Sequence, residues 1–303
     1  MTTPTRTRRS RLWGVAEVAV LVLAVGAALL TVVSDRDRLG EAVSGMGTGR
    51  VATAGLCALV GVRVSASVWR CSLAAVGADL PPRAAVRLFA VTQLGKYLPG
   101  AAWPYLAQVR EARRHGVAPE RTVSGQLVFV LLHVSTGAVL AAVLLPLAGG
   151  QGLQGRGAWL LLAGAVGACC LLPPVLARLV RALPGSPSAR PRELGRALVR
   201  MALTWTAYGL SVALLVGSPD LRSLLICTGA FALAWTVGFL VVIAPAGAGA
   251  RELVLVAALA ATVPDRGAVV ALALVSRVLM TLADLLLPVL VSLRAPRLRA
   301  GLA

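Results

Sequence analysis

Seven apolar runs dominate the chain: residues 12–33, 51–69, 122–148, 158–180, 197–217, 223–244 and 267–293. Each is close to the roughly 20 mostly apolar residues that a helix needs to cross a bilayer core. Within such a core, backbone N–H and C=O groups must be satisfied inside the segment, so repeated runs of this length dictate helices. The expected fold is an all-α polytopic membrane protein. With only 14% of its residues charged, the chain falls well below soluble domains, where about a quarter are charged. At 58% hydrophobic it has ample apolar surface, which disordered chains lack. The first run is longer than the roughly 7–15 apolar residues of a secretory signal and has no A-x-A exit, so it reads as a retained span.

Charge is scarce but one-sided, with 30 Lys+Arg against 12 Asp+Glu and a net charge of +18. Nucleic-acid binders gather such charge on a soluble face. Here the arginines lie between apolar runs, where they set orientation and meet anionic headgroups, so no nucleic-acid partner is expected. A cytoplasmic N-terminus places most of them inside: Arg6, Arg8, Arg9, Arg11, then Arg70, Arg83, Arg87, then Arg110, Arg113, Arg114, Arg121. Arg178, Arg181, Arg190, Arg192, Arg196, Arg200 and finally Arg294, Arg297, Arg299 join them, leaving only Arg36, Arg38, Arg50, Arg156, Arg222 and Arg266 outside. The positive-inside rule therefore predicts a multi-pass protein of the plasma membrane with both termini cytoplasmic. That parity calls for about eight crossings, with 245–263 crossing and 83–107 entering and leaving on one side. The implied organisation is a basic N-terminus (1–11), one membrane domain (12–294) and a cytoplasmic tail (295–303).

Cys57, Cys71, Cys169, Cys170 and Cys227 form no CxxC pair and lie in or beside apolar runs, which fits packing. His115 and His133 are too few and too far apart for a zinc site, and no cofactor or metal is expected.

Charges at membrane depth are the sharper signal. Arg63, Lys96, Arg251 and Arg277 fall there, with Glu17, Glu252 and Asp284. Each costs about 2.5–3.5 kcal/mol at mid-depth on insertion scales, so each needs a partner, water or a ligand. Several sit in two segments broken by Gly and Pro. In 88–117, Gly95, Pro99, Gly100 and Pro104 rule out one unbroken helix, and Lys96 stands in the break. Free backbone N–H groups beside an ammonium attract phosphate or carboxylate; the alternative is that Lys96 snorkels to the headgroups. Tyr97, Trp103 and Tyr105 line that cavity or mark the interface. In 243–261, Pro245 ends a helix, and Gly247 and Gly249 permit a tight turn. Arg251 and Glu252 then open a short helix whose N-terminus favours an anion. These two neighbours point about 100° apart, so each needs its own partner. Arg277 and Asp284 share one face of the last span, either as a polar stripe for a ligand or as an ion-pair network with Glu252.

The motifs GKYLPGAAWP (95–104) and PAGAGARE (245–252), in that order and followed by Arg277, resemble those of the lysylphosphatidylglycerol synthase transmembrane family. The likeness covers roughly 10–294 and includes the flippase-type membrane domains of multiple peptide resistance factors. Ala246 and Ala250 depart from the family's more usual Gly and larger aliphatic residue, and no soluble aminoacyl transferase domain follows, so synthase activity is not implied. The resemblance implies a non-enzymatic membrane domain that binds a polar or anionic lipid headgroup and moves it between leaflets. Lys96, Tyr97, Arg251, Glu252, Arg277 and Asp284 are the candidate headgroup residues, with Gly95, Pro99, Gly100, Pro245, Gly247 and Gly249 as the broken-helix backbone.

Partners are then a phospholipid or lipid-linked anionic substrate and the bilayer, with a homo-oligomer or an envelope-synthesis partner left open. No ATPase motif is present, which leaves passive or ion-coupled movement. Two other functions stay open. One is a scaffold for envelope lipid or polysaccharide synthesis. The other is a membrane enzyme acting on lipid-linked substrates, for which Asp35 and Asp37 are the one close acidic pair, more simply read as a solvated loop.

Overall fold

The computed structural model describes residues 44–97, 102–147, 157–186, 189–218, 220–241, 247, 249–263 and 265–293. The run 12–33 with Glu17, the Asp35–Asp37 loop, Pro99, Gly100 and Pro245 lie outside them, as does the side chain of Tyr97.

Every described regular element is helical. In chain order they are α1 (Thr48–Ala75), α2 (Pro82–Gln93), a 3-10 turn (Leu94–Tyr97), α3 (Ala102–Arg114) and α4 (Pro119–Leu147). There follow α5 (Gly157–Leu171), α6 (Pro173–Arg181), α7 (Pro191–Val216), α8 (Leu221–Leu240), α9 (Ala250–Leu259) and α10 (Arg266–Leu293). Proline opens α2, α4, α6 and α7, at the one position where its missing N–H costs nothing and its fixed φ suits a helix. At α8 the opening is made by Asp220, whose carboxylate accepts from the Ser223 backbone N–H at 3.0 Å. Gly217, at φ 98°, closes α7 in the left-handed region. Arg50 then donates to the free carbonyls of Leu214 and Leu215, both at 3.1 Å, completing that cap.

Among the described residues, five helices are long and apolar enough to cross a membrane: α1, α4, α7, α8 and α10. The sixth candidate is the pair α5 and α6, bent by 72°. The apolar run 158–180 is one span if this bent pair counts as one. Pro173 and Pro174 cannot continue the hydrogen-bond ladder, and the residue before them, Leu172, is pushed to an extended ψ of 129°. Among the described residues of 245–263 the one helix is the 10-residue α9, about 15 Å long and half a bilayer core, which by itself does not span. Around 83–107 the chain makes two short helices, and a buried Gln108 Nε2–Thr92 Oγ1 hydrogen bond of 3.0 Å ties α3 back onto α2.

Antiparallel α1 and α7 form the central pair, tied by Arg50 at one end and by Arg190 at the other. There the Arg190 backbone donates to Ala75 and its side chain pairs with Asp79 at 2.8 Å. The approach is close because Gly61 faces the Tyr208 ring, where a Cβ would collide. Helices α4 and α8 pack on this pair and on each other, and α5 lies against α4. On the remaining side α10 touches α1, α2, α7 and α9, which brings both broken segments against one helix. The largest fully buried side chains, Trp69, Trp205, Phe89 and Phe231, fill the space where these helices meet.

Candidate functional site

α10 carries Arg277 and Asp284 two turns apart, about 10 Å along its axis. Each meets a residue from a different broken segment. Lys96, at the 3-10 turn that ends α2, places Nζ 2.6 Å from Asp284 Oδ2. The Asp284 side chain is 2% exposed and Lys96 36%, so the acid is enclosed while the base keeps a path outward. Lys96 thus turns inward to a carboxylate. Arg277 Nη1 lies 2.7 Å from Glu252 Oε1, with both side chains largely buried.

Glu252 does two jobs. Its Oε2 accepts from the Gly249 backbone N–H at 2.6 Å, so the carboxylate caps the start of α9 while its other oxygen holds Arg277. The N-terminus of α9, expected to attract an external anion, therefore already has one of its own. The turn before it relies on two glycines. Gly247 has φ 72°, and a Cβ there would stand 2.8 Å from the Gly238 carbonyl oxygen of α8; Gly249 has φ 82°.

Arg251 points away from Glu252, as their helical offset requires, and its Cζ sits 4.6 Å from the centroid of the Phe231 ring. Gly238 makes room for its stem, since a Cβ at Gly238 would stand 3.0 Å from that of Arg251. Buried Tyr208 of α7 lies in the fields of Asp284 and Arg251 and beside Ser65 of α1. Gly95 is buried within the 3-10 turn. The five charged candidates are thus brought together from three elements, as three cations against two acids. Arg63 stands apart, on an exposed face of α1, where Nη1 donates to Ser67 Oγ at 2.9 Å.

Residues that the motifs do not mark also belong here. Tyr208, Phe231 and Ser65 wall the charges, and each is a polar or aromatic group within an ordinary apolar run. A chain of rings extends beyond them: Phe231 meets Tyr208 at 5.2 Å, and Tyr208 meets Trp205 at 6.3 Å between centroids.

Chemically, the two ion pairs keep acids and bases charged and mutually compensated inside the helix bundle. Among the described residues no group of three His, Cys, Asp or Glu is placed to hold a metal. All five cysteines are free thiols.

Spanning helices around a buried, mixed-sign ionic cluster define an α-helical integral membrane protein with an internal polar site. The chain belongs to the family described as the lysylphosphatidylglycerol synthase TM region, which it matches over residues 16–287. That match is to a membrane region and not to a soluble catalytic domain. No curated protein matches the chain.

Proposed function

We propose that this protein binds a polar or anionic lipid headgroup between its two broken segments and moves the lipid between leaflets of the plasma membrane. The observation that carries this reading is the closure of both breaks on one helix, through Lys96–Asp284 and Arg277–Glu252. Such pairs are bistable. Each can stay closed without substrate, or part so that the cation meets the phosphate while the acid stays in place or meets an amino group on the lipid. Arg251 adds a third cation beside them. The headgroup travels in this polar interior while the acyl tails remain in lipid, which avoids the cost of dragging charge through hydrocarbon.

In this scheme both termini are cytoplasmic, as the arginine asymmetry requires. About eight crossings complete the domain 12–294, with the segment around α9 counted as one and α2–α3 entering and leaving on the same side. By resemblance to the family's motifs, Tyr97 joins the proposed headgroup residues, and Pro99, Gly100 and Pro245 the proposed broken-helix residues.

Mass spectrometry of lipids co-purifying with the detergent-solubilised protein tests the proposal, beside Lys96→Ala and Arg251→Ala. One anionic lipid class enriched in the wild type and lost from folded variants is the expected result. Identical bulk lipids in all three proteins would overturn it and leave the scaffold role.

A further inference from the structure

His133 is used by none of this. It lies midway along α4 (Pro119–Leu147), which puts it near mid-membrane in a span of 29 residues. The residue is 2% exposed, and neither Nδ1 nor Nε2 has a hydrogen-bond partner. Polar atoms so deeply buried are normally satisfied, and an exception calls for a reason.

Three rings enclose the imidazole. Trp235 of α8 stacks on it at 4.0 Å and 20°, while Trp205 of α7 and Phe129 of α4 meet it edge to face, each at 5.0 Å. The Trp205 indole N–H is spent on Thr136 Oγ1 at 2.9 Å and so does not serve His133. The stacked Trp235 face gives an imidazolium a cation–π partner once a proton has arrived. The charged group that acts on it is Lys96 of the 3-10 turn, itself held by Asp284 of α10. From α7 the titratable neighbour is Tyr208, behind Trp205; α8 contributes Trp235 and the hydroxyl of Thr236.

We infer that His133 is a mid-membrane proton-binding site that couples headgroup movement to a proton gradient. The step is imidazole plus a proton from water giving imidazolium on loading, and the reverse on release; no bond of the lipid changes. An anion that engages Lys96 enters the field that Lys96 exerts on His133. Anion and proton therefore favour each other's binding, and by linkage the effect is reciprocal. A monoanionic headgroup and one proton then cross together as a neutral load, which lowers the cost of crossing a low-dielectric interior. This rests on the lipid-translocation reading above, and its substrate is the same headgroup.

The test uses the full chain in vesicles of phosphatidylcholine containing acyl-chain-labelled phosphatidylglycerol, with and without a pH gradient, beside protein-free vesicles. One-to-one coupling converts a gradient of about one pH unit into a steady-state leaflet asymmetry of up to about tenfold, whereas an uncoupled path leaves the leaflets equal. The expected result is gradient-dependent asymmetry with proton flux seen by an entrapped pH dye, both lost in His133→Gln and His133→Phe. A purely structural histidine would lower the rate in these variants without flattening the response to pH. Wild-type movement of the labelled lipid with equal leaflets and no proton flux overturns this inference alone. Absence of any protein-dependent movement at any pH overturns the translocation reading beneath it. Should the variants not fold, the wild-type asymmetry and proton flux still decide.

Discussion

Lys96 Nζ lies 2.6 Å from Asp284 Oδ2, joining the first broken segment to the last span, but the two partners are not equally enclosed. Asp284 is 2% exposed at the side chain and Lys96 36%. Removing one partner of a buried pair is costly because the other is left charged in a poor solvent. Lys96→Met removes the cation facing a carboxylate that cannot reach water, and should cost about 3 kcal/mol. Asp284→Asn strands an ammonium with a way out, and should cost about 1 kcal/mol. Thermal unfolding of both variants in detergent checks the order.

Glu252 holds two structures at once, and its substitutions separate them. Glu252→Gln keeps one oxygen able to accept from Gly249 but turns an NH2 toward Arg277, so it keeps the cap and loses the ion pair, a change of about 2 kcal/mol. Glu252→Ala removes the cap and leaves Arg277 unopposed, which should cost about 3 kcal/mol. If the two variants melt together, the cap contributes nothing.

The charged members of this site are legible in the sequence because the chain otherwise avoids charge at membrane depth. Lys96, Arg251, Glu252, Arg277 and Asp284 stand out for that reason, whereas their pairing does not. Lys96 and Asp284 are joined only by tertiary packing of α2 on α10, for which no local period exists. Sequence left two uses for Arg277 and Asp284, a shared stripe or a network with Glu252; the fold gives Arg277 to Glu252 and Asp284 to Lys96. Apolar run length also missed two breaks in the helices. It passed over Pro173–Pro174, which bend α5 from α6, and it could not register that Gly249 starts α9 late. His133 carried a readable signal, an ionisable group in mid-span. It is visible only when histidine is counted among the membrane-depth charges.

The glycine turn before α9 gives a prediction with an internal control. Gly247 and Gly249 both have positive φ, so alanine strains either backbone by about 1–2 kcal/mol. Only at Gly247 does a Cβ also meet the α8 backbone; at Gly249 the space is open. Gly247→Ala should therefore cost about 3 kcal/mol in total. Gly249→Ala should cost only the backbone strain, about 1–2 kcal/mol, by the same melting measurement. Equal losses would mean that the approach of α9 to α8 is looser than described.

Asp220, just outside α8, supplies a pH dependence. Its carboxylate accepts from the Ser223 backbone N–H and from Ser223 Oγ, both at 3.0 Å, and these bonds hold it below the usual carboxylate range. A depressed folded-state value means that the contribution is complete above the unfolded-state value of an ordinary aspartate. It is lost as pH falls through the lower folded value. Asp220→Asn should melt below the wild type at neutral pH, with the gap closing at strongly acid pH. A gap constant with pH would show that the charge on Asp220 is not what stabilises the cap.

Exchanging the two charges separates an ion pair kept for stability from one kept for lipid. Lys96→Glu combined with Asp284→Lys nearly conserves the pair's volume and keeps opposite charges in contact, while moving the cation from the broken segment onto α10. Each single change sets like charges together and should unfold the site, and the double variant should recover most of the lost stability. In the proposed mechanism headgroup binding does not depend on the pair alone, because the cation must sit on the broken segment and not on α10. The double variant should therefore fold and carry no enriched anionic lipid, while Lys96→Arg, which keeps the charge in place, retains it. A double variant that folds and still holds the lipid would make Lys96–Asp284 a structural pair. Headgroup recognition would then fall to Arg251, whose guanidinium over Phe231 the exchange leaves untouched.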